Sequence, residues 1–364
     1  MTSERGARVP DGRRIVVKIG SKSLVSAADR FASLATQVAA LRGEKRSVVV
    51  VSSGAIALGR QRLGLPKRPT EMDQLQACAA VGQSALMRAW EEAFAPHGTP
   101  VAQILLTHAD LAERERYLNA RNAIDALLEL GAVPIINEND TVSVDEIKFG
   151  DNDQLAAMVA TLTGADLLVL LTDVEGLLDA QKNRVSLVED AAAAASLVRA
   201  GTSDVGTGGM GSKLEAARRA TLRGIPSIIA DARDPEILRR IAAGEDVGTL
   251  FLPHGTRLAS RKHWIAYTLR PRGTLVIDRG AAKALASGGK SLLPAGLMGV
   301  RGDFSVGDAV TLVDPEGREV ARGLTRYATR DAAKLAGAAT KDIAELLGFH
   351  GGDEVVHRDD LVVL

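Results

Sequence analysis

Short apolar runs alternate with amphipathic helical patterns along most of the chain. The runs are rich in Val, Ile and Leu, a pattern typical of strands that are buried on both faces. The predicted strands are 14–19, 47–51, 101–106, 133–136, 165–171 and 225–230, and the predicted helices are 30–42, 71–95, 113–130 and 213–224, with a further helical pattern after Asp153. This alternation predicts an α/β fold with a mainly parallel sheet and helices on both faces.

The pattern changes near residue 261. Beyond it, short apolar segments alternate with turns at 274–277, 300–304, 309–313, 319–324 and 355–363, with one helical pattern at 340–347. The sequence Pro-Arg-Gly at 271–273 is typical of a linker. We therefore predict a disordered leader at residues 1–12, an α/β domain at 13–260, a linker at 261–273 and a small, mainly β domain at 274–364.

Composition and charge narrow the class of protein. Hydrophobic residues make up 46% of the chain and aromatic residues only 3%, so the core must be built mainly from Ala, Val, Leu and Ile. The 45 basic and 45 acidic residues cancel, which gives no general attraction to nucleic acids or anionic membranes. No apolar stretch reaches the roughly 18 residues of a membrane span. The single cysteine, Cys78, lies among apolar residues and is expected to be buried and inert. We expect a soluble, cytoplasmic protein.

Polar residues concentrate between residues 132 and 163. The predicted strand there ends in Asn137-Glu138-Asn139-Asp140, and Gly150-Asp151-Asn152-Asp153 precedes the next helix, with Asp153 where an N-cap is expected. Open α/β sheets bind ligands outside the carboxyl ends of their strands, so this segment predicts a ligand crevice. Turn formation alone is the alternative, because loops also use Asn, Asp and Gly.

Two lysines and two small-residue loops accompany this cluster. Lys18 lies near the end of the first apolar run, where a buried lysine needs a partner; an edge position that lets the ammonium group reach solvent is the alternative. Ser52-Ser53-Gly54 opens a helix whose first amides suit an anion, although either serine could be a simple cap. Residues 206–213, GTGGMGSK, form a glycine-rich segment before a helix, which suits phosphate binding. The order Gly-Ser-Lys excludes a Walker A loop.

Together these features favour phosphoryl transfer. Two lysines could neutralise the transferring phosphoryl group from two sides, and a carboxylate such as Asp153 could pair with both. No histidine or cysteine accompanies the motifs, so no general base is evident. An acceptor that is already an anion, such as a carboxylate, needs none.

Several motifs resemble the glutamate 5-kinase family of the amino acid kinase superfamily. They are VVKIG (16–20), VVSSGAIALG (50–59), INENDTV (136–142), EIKFGDND (146–153), LLTDVEGL (170–177) and GTGGMGSK (206–213). The segments KSLLPAG (290–296) and VVHRDDLV (355–362) are similar to the C-terminal PUA domain of that family. The resemblance covers nearly all of the chain after the leader. It implies a three-layer amino acid kinase fold followed by a PUA domain.

The resemblance also implies an activity and its residues. The activity is ATP-dependent phosphorylation of the side-chain carboxylate of L-glutamate, the first step of proline biosynthesis. Lys18 and Lys213 would flank the transferring phosphoryl group, with Asp153 organising them. The residues implied in glutamate binding are Ser53, Asp140 and Asn152, and those implied in ATP binding are Lys18, Thr172, Asp173, Thr207, Gly208, Gly209, Met210, Gly211, Ser212 and Lys213.

The resemblance further implies that Mg²⁺ binds through the phosphates, without a dedicated protein metal site. It implies feedback inhibition by proline, and we expect a homo-oligomer, either a dimer or a tetramer. Two positions depart from the family pattern. Lys22 stands where a small hydroxyl residue is expected, and Gly288-Gly289-Lys290 replaces the usual approach to the LLP motif.

Two alternatives have to be weighed. The PUA-like region could bind RNA, but residues 272–364 contain 12 Lys+Arg and 13 Asp+Glu, and their aromatic residues, Phe304, Tyr327 and Phe349, are widely spaced. This is poor material for base stacking, so RNA binding is not expected as the main function. A kinase of the same fold with aspartate, carbamate, N-acetylglutamate or UMP as its acceptor is the stronger alternative. The PUA-like C-terminal region and the NEND–GDND pair favour glutamate.

Overall fold

The structure is a computed structural model that describes residues 13–25, 29–142, 152–191, 194, 209–253, 271–287 and 289–363. The chain divides into two compact units, Met1–His254 and Gly255–Leu364. The predicted leader at 1–12, and most of the predicted linker at 261–273, lie outside the described residues. The predicted domain boundaries therefore stay predictions.

A large sheet forms the centre of the first unit. Its strands are β1 (Arg14–Ile19), β2 (Ser47–Ser52), β3 (Val101–Leu106), β4 (Val133–Glu138), β5 (Leu167–Thr172), β6 (Leu187–Val188), β7 (Ser227–Asp231) and β8 (Thr249–Phe251). The strand order is β3-β4-β2-β1-β5-β7-β8-β6. Every pairing is parallel except that of β7 with β8, which confirms the predicted mainly parallel sheet.

Helices cover both faces of this sheet. Those that the structure describes are α1 (Ser21–Val25), α2 (Arg30–Gly43), α3 (Ala55–Arg62), α4 (Met72–Phe94), α5 (His108–Ala112), α6 (Arg114–Glu129), α7 (Asn152–Leu162), α8 (Met210–Leu222) and α9 (Ile237–Ala242). The predicted elements agree with these to within a few residues at their ends. The short elements α1, α5, α9, β6 and β8 were not predicted, because they are too brief to show a period of their own.

Strand β1 shows how the two faces are divided. Ile15, Val17 and Ile19 are buried in the core beneath α2 and α4, whereas Val16 belongs to the core beneath α7 and α8. Successive side chains of a strand point to opposite faces, so Lys18 lies on the same face as Val16. The lysine of this central strand therefore points toward α7 and α8.

Helices α3 and α4 approach each other backbone to backbone. A Cβ added to Gly82 would lie 1.7 Å from the carbonyl oxygen of Ala55, and one added to Gly59 would lie 1.8 Å from that of Cys78. No side chain fits at either position, which is why glycine is required there. Since α3 begins just after Gly54, which has a φ of 120°, this contact fixes the turn between β2 and α3.

The second unit is small and mainly β, as the sequence predicts. Its strands are β9 (Gly273–Ile277), β10 (Leu297–Gly302), β11 (Ala309–Val313), β12 (Glu319–Thr325) and β13 (Val356–Val363), in the order β10-β9-β11-β12-β13. Its described helices are α10 (Arg279–Ala286), α11 (Thr329–Lys334) and α12 (Ile343–Leu347). Only the last was predicted, and a 3₁₀ turn at Thr340–Asp342 precedes it. Gly288 lies outside the described residues, Gly289 has a φ of 71°, and Lys290 is exposed.

None of the helices in the described ranges combines the length and the hydropathy needed to cross a membrane.

Candidate active site

The carboxylate of Asp153 lies between two ammonium groups. The Nζ atom of Lys18 is 2.6 Å from Oδ1, and the Nζ atom of Lys213 is 3.3 Å from Oδ2. The Ser212 hydroxyl also donates to Oδ2, at 2.8 Å. Lys18, Asp153 and Lys213 are 5%, 1% and 6% exposed. Three elements, β1, α7 and α8, thus bring their charged side chains to one buried point.

The neighbouring positive charges keep the Asp153 carboxylate ionised. Burial raises the pKa of Asp153, but the charges of Lys18 and Lys213 and the hydrogen bonds from Lys18 and Ser212 outweigh burial, so the pKa lies below its ordinary value. Burial lowers the pKa of Lys213, and although Asp153 opposes this effect, Lys18 adds to it. With both lysines protonated, the three groups carry one excess positive charge. A bound anion would neutralise a buried charge that is otherwise unfavourable.

Two local expectations are corrected here. Asn152 is the first residue of α7 and Asp153 the second, and the Asp153 carboxylate contacts ammonium and hydroxyl groups instead of capping the helix. The predicted N-cap is therefore wrong, because hydrogen bonds to charged donors are stronger than those to neutral amides. Helix α8 begins at Met210, not at residue 213, so Lys213 is a buried residue of the helix.

A chain of amide side chains leads to the same crevice from the β3 edge of the sheet. The Asn152 amide donates to the Ser53 hydroxyl at 2.7 Å and to Asn137 Oδ1 at 3.1 Å. Asn137 donates to Gln83 Oε1 at 2.9 Å, and the Gln83 amide donates to Gln103 Oε1 at 3.0 Å. The structure thus brings Ser53 and Asn152 together. Sequence reasoning missed Gln83 and Gln103, because nothing in their local sequence links them to the polar cluster.

Asn152 has a further property. Its Oδ1 atom is buried and accepts no hydrogen bond from the residues that the structure describes. Because its Nδ2 group is bound to two oxygens, the orientation of the amide is set. Asp140 lies two residues beyond the end of β4 and is half-buried.

Apart from Lys18 on β1, the described residues predicted to bind the nucleotide lie at the carboxyl end of β5 and at the start of α8. Thr172 is buried, and its hydroxyl donates to the exposed Asp173 at 3.1 Å. Gly209 precedes α8 in an extended conformation, and Met210, Gly211, Ser212 and Lys213 form its first turn. Thr207 and Gly208 lie outside the described residues. Lys22 is exposed on α1 and forms no ion pair with any described residue.

Within the described ranges, no group of three or more His, Cys, Asp or Glu side chains could hold a metal ion.

Comparisons with known proteins agree with this architecture. The family model "Amino acid kinase family" matches residues 13–231, and the model "PUA domain" matches residues 273–347. A glutamate 5-kinase of Myxococcus xanthus is 51% identical over 363 residues, which cover 97% of this chain and 96% of that relative. A glutamate 5-kinase of Citrifermentans bemidjiense is 49% identical, over 97% of this chain and 98% of that relative.

Among solved structures, a carbamate kinase from Giardia lamblia bound to AMP-PNP matches with a TM-score of 0.51 and 17% identity, over 67% of this chain and 99% of that one. This likeness shows a shared fold. Since the family model covers more than half of the chain and the curated relatives match it along nearly its whole length, the chain belongs to the amino acid kinase family and, within it, to the glutamate 5-kinases that carry a PUA domain.

Proposed function

We propose that the protein transfers the γ-phosphoryl group of ATP to the side-chain carboxylate of L-glutamate, as the names of its relatives indicate. The products are ADP and L-glutamyl 5-phosphate, and the reaction is the first step of proline biosynthesis. The observation that carries the proposal is the buried Asp153 carboxylate between the ammonium groups of Lys18 and Lys213. The two ammonium groups outnumber the one carboxylate. The cluster therefore supplies an excess positive charge where an anionic phosphoryl group would be transferred.

The chemistry then requires little covalent help from the protein. The bond between the γ-phosphorus and the bridging oxygen of ADP breaks while a carboxylate oxygen of glutamate forms a bond to the same phosphorus. Both partners are anions, so no proton has to be removed. Lys18 and Lys213 offset the repulsion between them and the charge on the phosphoryl oxygens. Asp153 acts as a positioning residue that holds the two ammonium groups in place before the substrates bind.

Ser53, Asn152 and Asp140 are the proposed glutamate-binding residues, and we call the space between them the glutamate crevice. The oriented Oδ1 atom of Asn152 can accept a hydrogen bond from an α-ammonium group, which supports an amino acid as the acceptor. The half-buried Asp140 adds a negative charge that suits the same group. The Ser53 hydroxyl, which accepts from Asn152, remains able to donate its proton to a carboxylate.

ATP is proposed to bind across the end of β5 at Thr172 and Asp173, with its phosphates at residues 207–213. The first amides of the 13-residue helix α8 and its dipole suit a phosphate. Mg²⁺ is proposed to bind on the phosphate oxygens, and the exposed Asp173 carboxylate would offer an oxygen of the type that this ion prefers. When bound, the ion would add positive charge to the phosphates. Feedback inhibition by proline in the glutamate crevice, a dimer or tetramer, and a cytoplasmic location complete the proposal.

A panel of acceptors tests this function. ADP release at fixed ATP is measured with L-glutamate, L-aspartate, N-acetylglutamate, carbamate and UMP, and hydroxylamine is added to trap any acyl phosphate as its hydroxamate. We expect ADP release and hydroxamate with L-glutamate, and little of either with the other four. Efficient turnover of another acceptor without turnover of glutamate would refute the proposal.

A further inference from the structure

The turn after β7 carries a guanidinium group that the phosphoryl transfer does not use. The Nε atom of Arg233 lies 2.9 Å from Oδ1 and 3.0 Å from Oδ2 of Asp231, and Nη2 lies 2.7 Å from Oδ2. The backbone amide of Arg233 also donates to Oδ1, at 2.8 Å. The carboxylate is thus occupied on both oxygens by one arginine. The guanidinium is held in one orientation although 64% of the side chain is exposed.

This turn is attached directly to the proposed nucleotide site. The amide of Ala232 donates to the carbonyl of Thr172 at 2.7 Å, and Asp231 lies opposite Thr172 in the pairing of β5 with β7. The guanidinium of Arg30 donates to the carbonyl of the same residue, Ala232. Arg233 is therefore the next residue after a backbone contact with the end of β5.

Opposite charges stabilise the ion pair between Asp231 and Arg233. Burial raises the pKa of Asp231, but its hydrogen bonds to Arg233 and the charges of Arg233 and Arg30 outweigh burial, so the pKa lies below its ordinary value. The bonds and charge of Asp231 raise the pKa of Arg233, and Asp173 and Glu175 add to this effect. The pair thus stays ionised at neutral pH.

The Nη1 group and the planar face of the Arg233 guanidinium are available to a ligand. Its Nη1 group donates to none of the described residues, and none of their aromatic rings covers its face. A planar guanidinium with one edge fixed and its face exposed is suited to stacking on an aromatic ring. Lysine has no such plane.

The strand order decides which part of a ligand would reach it. The proposed phosphate position lies between Lys18 on β1 and Lys213 on α8, and the order of neighbouring strands is β1-β5-β7. The ends of β1 and β7 are separated by two strand spacings, or about 10 Å. A nucleotide that extends from the phosphates across the end of β5 presents its base, and not its phosphates, to the end of β7.

We propose that Arg233 stacks on the base of bound ATP and contributes to nucleotide affinity, and that Asp231 is the positioning residue that holds it there. The proposal rests on the proposed function for the position of the phosphates. It goes beyond that function because it assigns the recognition of the base to the turn after β7.

The test is calorimetric titration of the full chain with a non-hydrolysable ATP analogue. Arg233→Ala should weaken binding about five- to tenfold, the scale of one stacked guanidinium. Arg233→Lys should lose nearly as much, and Asp231→Asn should lose less. Arg239→Ala is the matched control, because Arg239 lies on the following helix, is 52% exposed and pairs with Glu236; its affinity should equal that of the wild type. In kinetics, the Arg233→Ala loss should appear in the KM for ATP, with kcat and the KM for glutamate within about twofold.

Inorganic tripolyphosphate is the second probe, because it has no base. Arg233→Ala should bind it as the wild type does, and an equal loss for tripolyphosphate and for the analogue would overturn the stacking assignment. Analogue affinity within twofold of the wild type in Arg233→Ala would overturn the role of this residue altogether. A wild type that binds the analogue but shows no glutamate-dependent turnover would refute the proposed function instead. The melting temperature of each variant separates loss of binding from loss of folding.

Discussion

Replacing Lys213 by methionine separates what the second ammonium group does in catalysis from what it does for stability. The side chain is 6% exposed, and methionine fills a similar volume without a charge. Asp153 keeps Lys18 and the Ser212 hydroxyl as partners in the variant. The change therefore removes one positive charge from the site and leaves the carboxylate paired.

The catalytic effect should be large. Loss of one preorganised electrostatic stabiliser lowers kcat about 10²- to 10³-fold, which corresponds to roughly 2.7–4 kcal/mol in the activation free energy. The assay is glutamate-dependent ADP release at saturating ATP and glutamate. Lys67→Met is the control, because Lys67 is exposed and is not one of the proposed site residues. An unchanged kcat with only a higher KM for ATP would refute the catalytic role.

Lys213→Met should lower activity without lowering stability. The folded protein holds the pKa of Lys213 below its ordinary value, chiefly through burial. A protonated lysine is therefore less favourable in the folded state than in the unfolded chain, and its contribution to stability improves as the pH rises from the folded pKa toward the unfolded one. Lys213→Met removes this unfavourable term, so its melting temperature near neutral pH should be equal to or above that of the wild type. A clear decrease would show that the ammonium group is stabilising and would contradict the charge balance inferred here.

Four further predictions concern the same site and the second unit. Asp153→Asn leaves two buried ammonium groups without a counter-charge, so the free energy of unfolding in urea should fall by about 3–5 kcal/mol; a loss below about 1 kcal/mol would show that the ion pairs contribute little. In the wild type, the pKa of Asp153 is lowered on folding, so its contribution should be present above pH 3.8 and lost as the pH falls through the lowered value, which urea titrations at several acid pH values would detect. Proline should inhibit in competition with glutamate, and inhibition that persists at saturating glutamate would exclude a shared crevice. A chain that ends after residue 270 should keep glutamate-dependent ATP consumption, because every proposed site residue precedes it; folded but inactive protein would show that the second unit completes the site.

The local pattern of apolar and polar residues predicts much of the architecture. The apolar run at Arg14–Ile19 and the helical period at Arg30–Gly43 were predicted almost to the residue, because burial on both faces of a strand and on one face of a helix imposes a period. The strands β6 and β8 have two and three residues. They exist only because neighbouring strands supply their hydrogen bonds, so no local signal could reveal them.

The sequence predicts some features of the candidate active site, and only the tertiary structure decides the others. Residue types and motifs were enough to single out Lys18, Asp153 and Lys213, and strand alternation alone would place Lys18 on one defined face. Only the tertiary structure decides that β1, α7 and α8 bring these charges within 3.3 Å of the Asp153 carboxylate.

Sequence spacing alone cannot distinguish a helix cap at Asp153 from a carboxylate that pairs with two ammonium groups. Gln83 and Arg233 also became visible only in the fold. Strands β1, β5 and β7 are neighbours in the sheet, and Asn137 of β4 donates a hydrogen bond to Gln83 of α4. These contacts join residues that are far apart in sequence. They depend on how whole elements pack rather than on any local pattern.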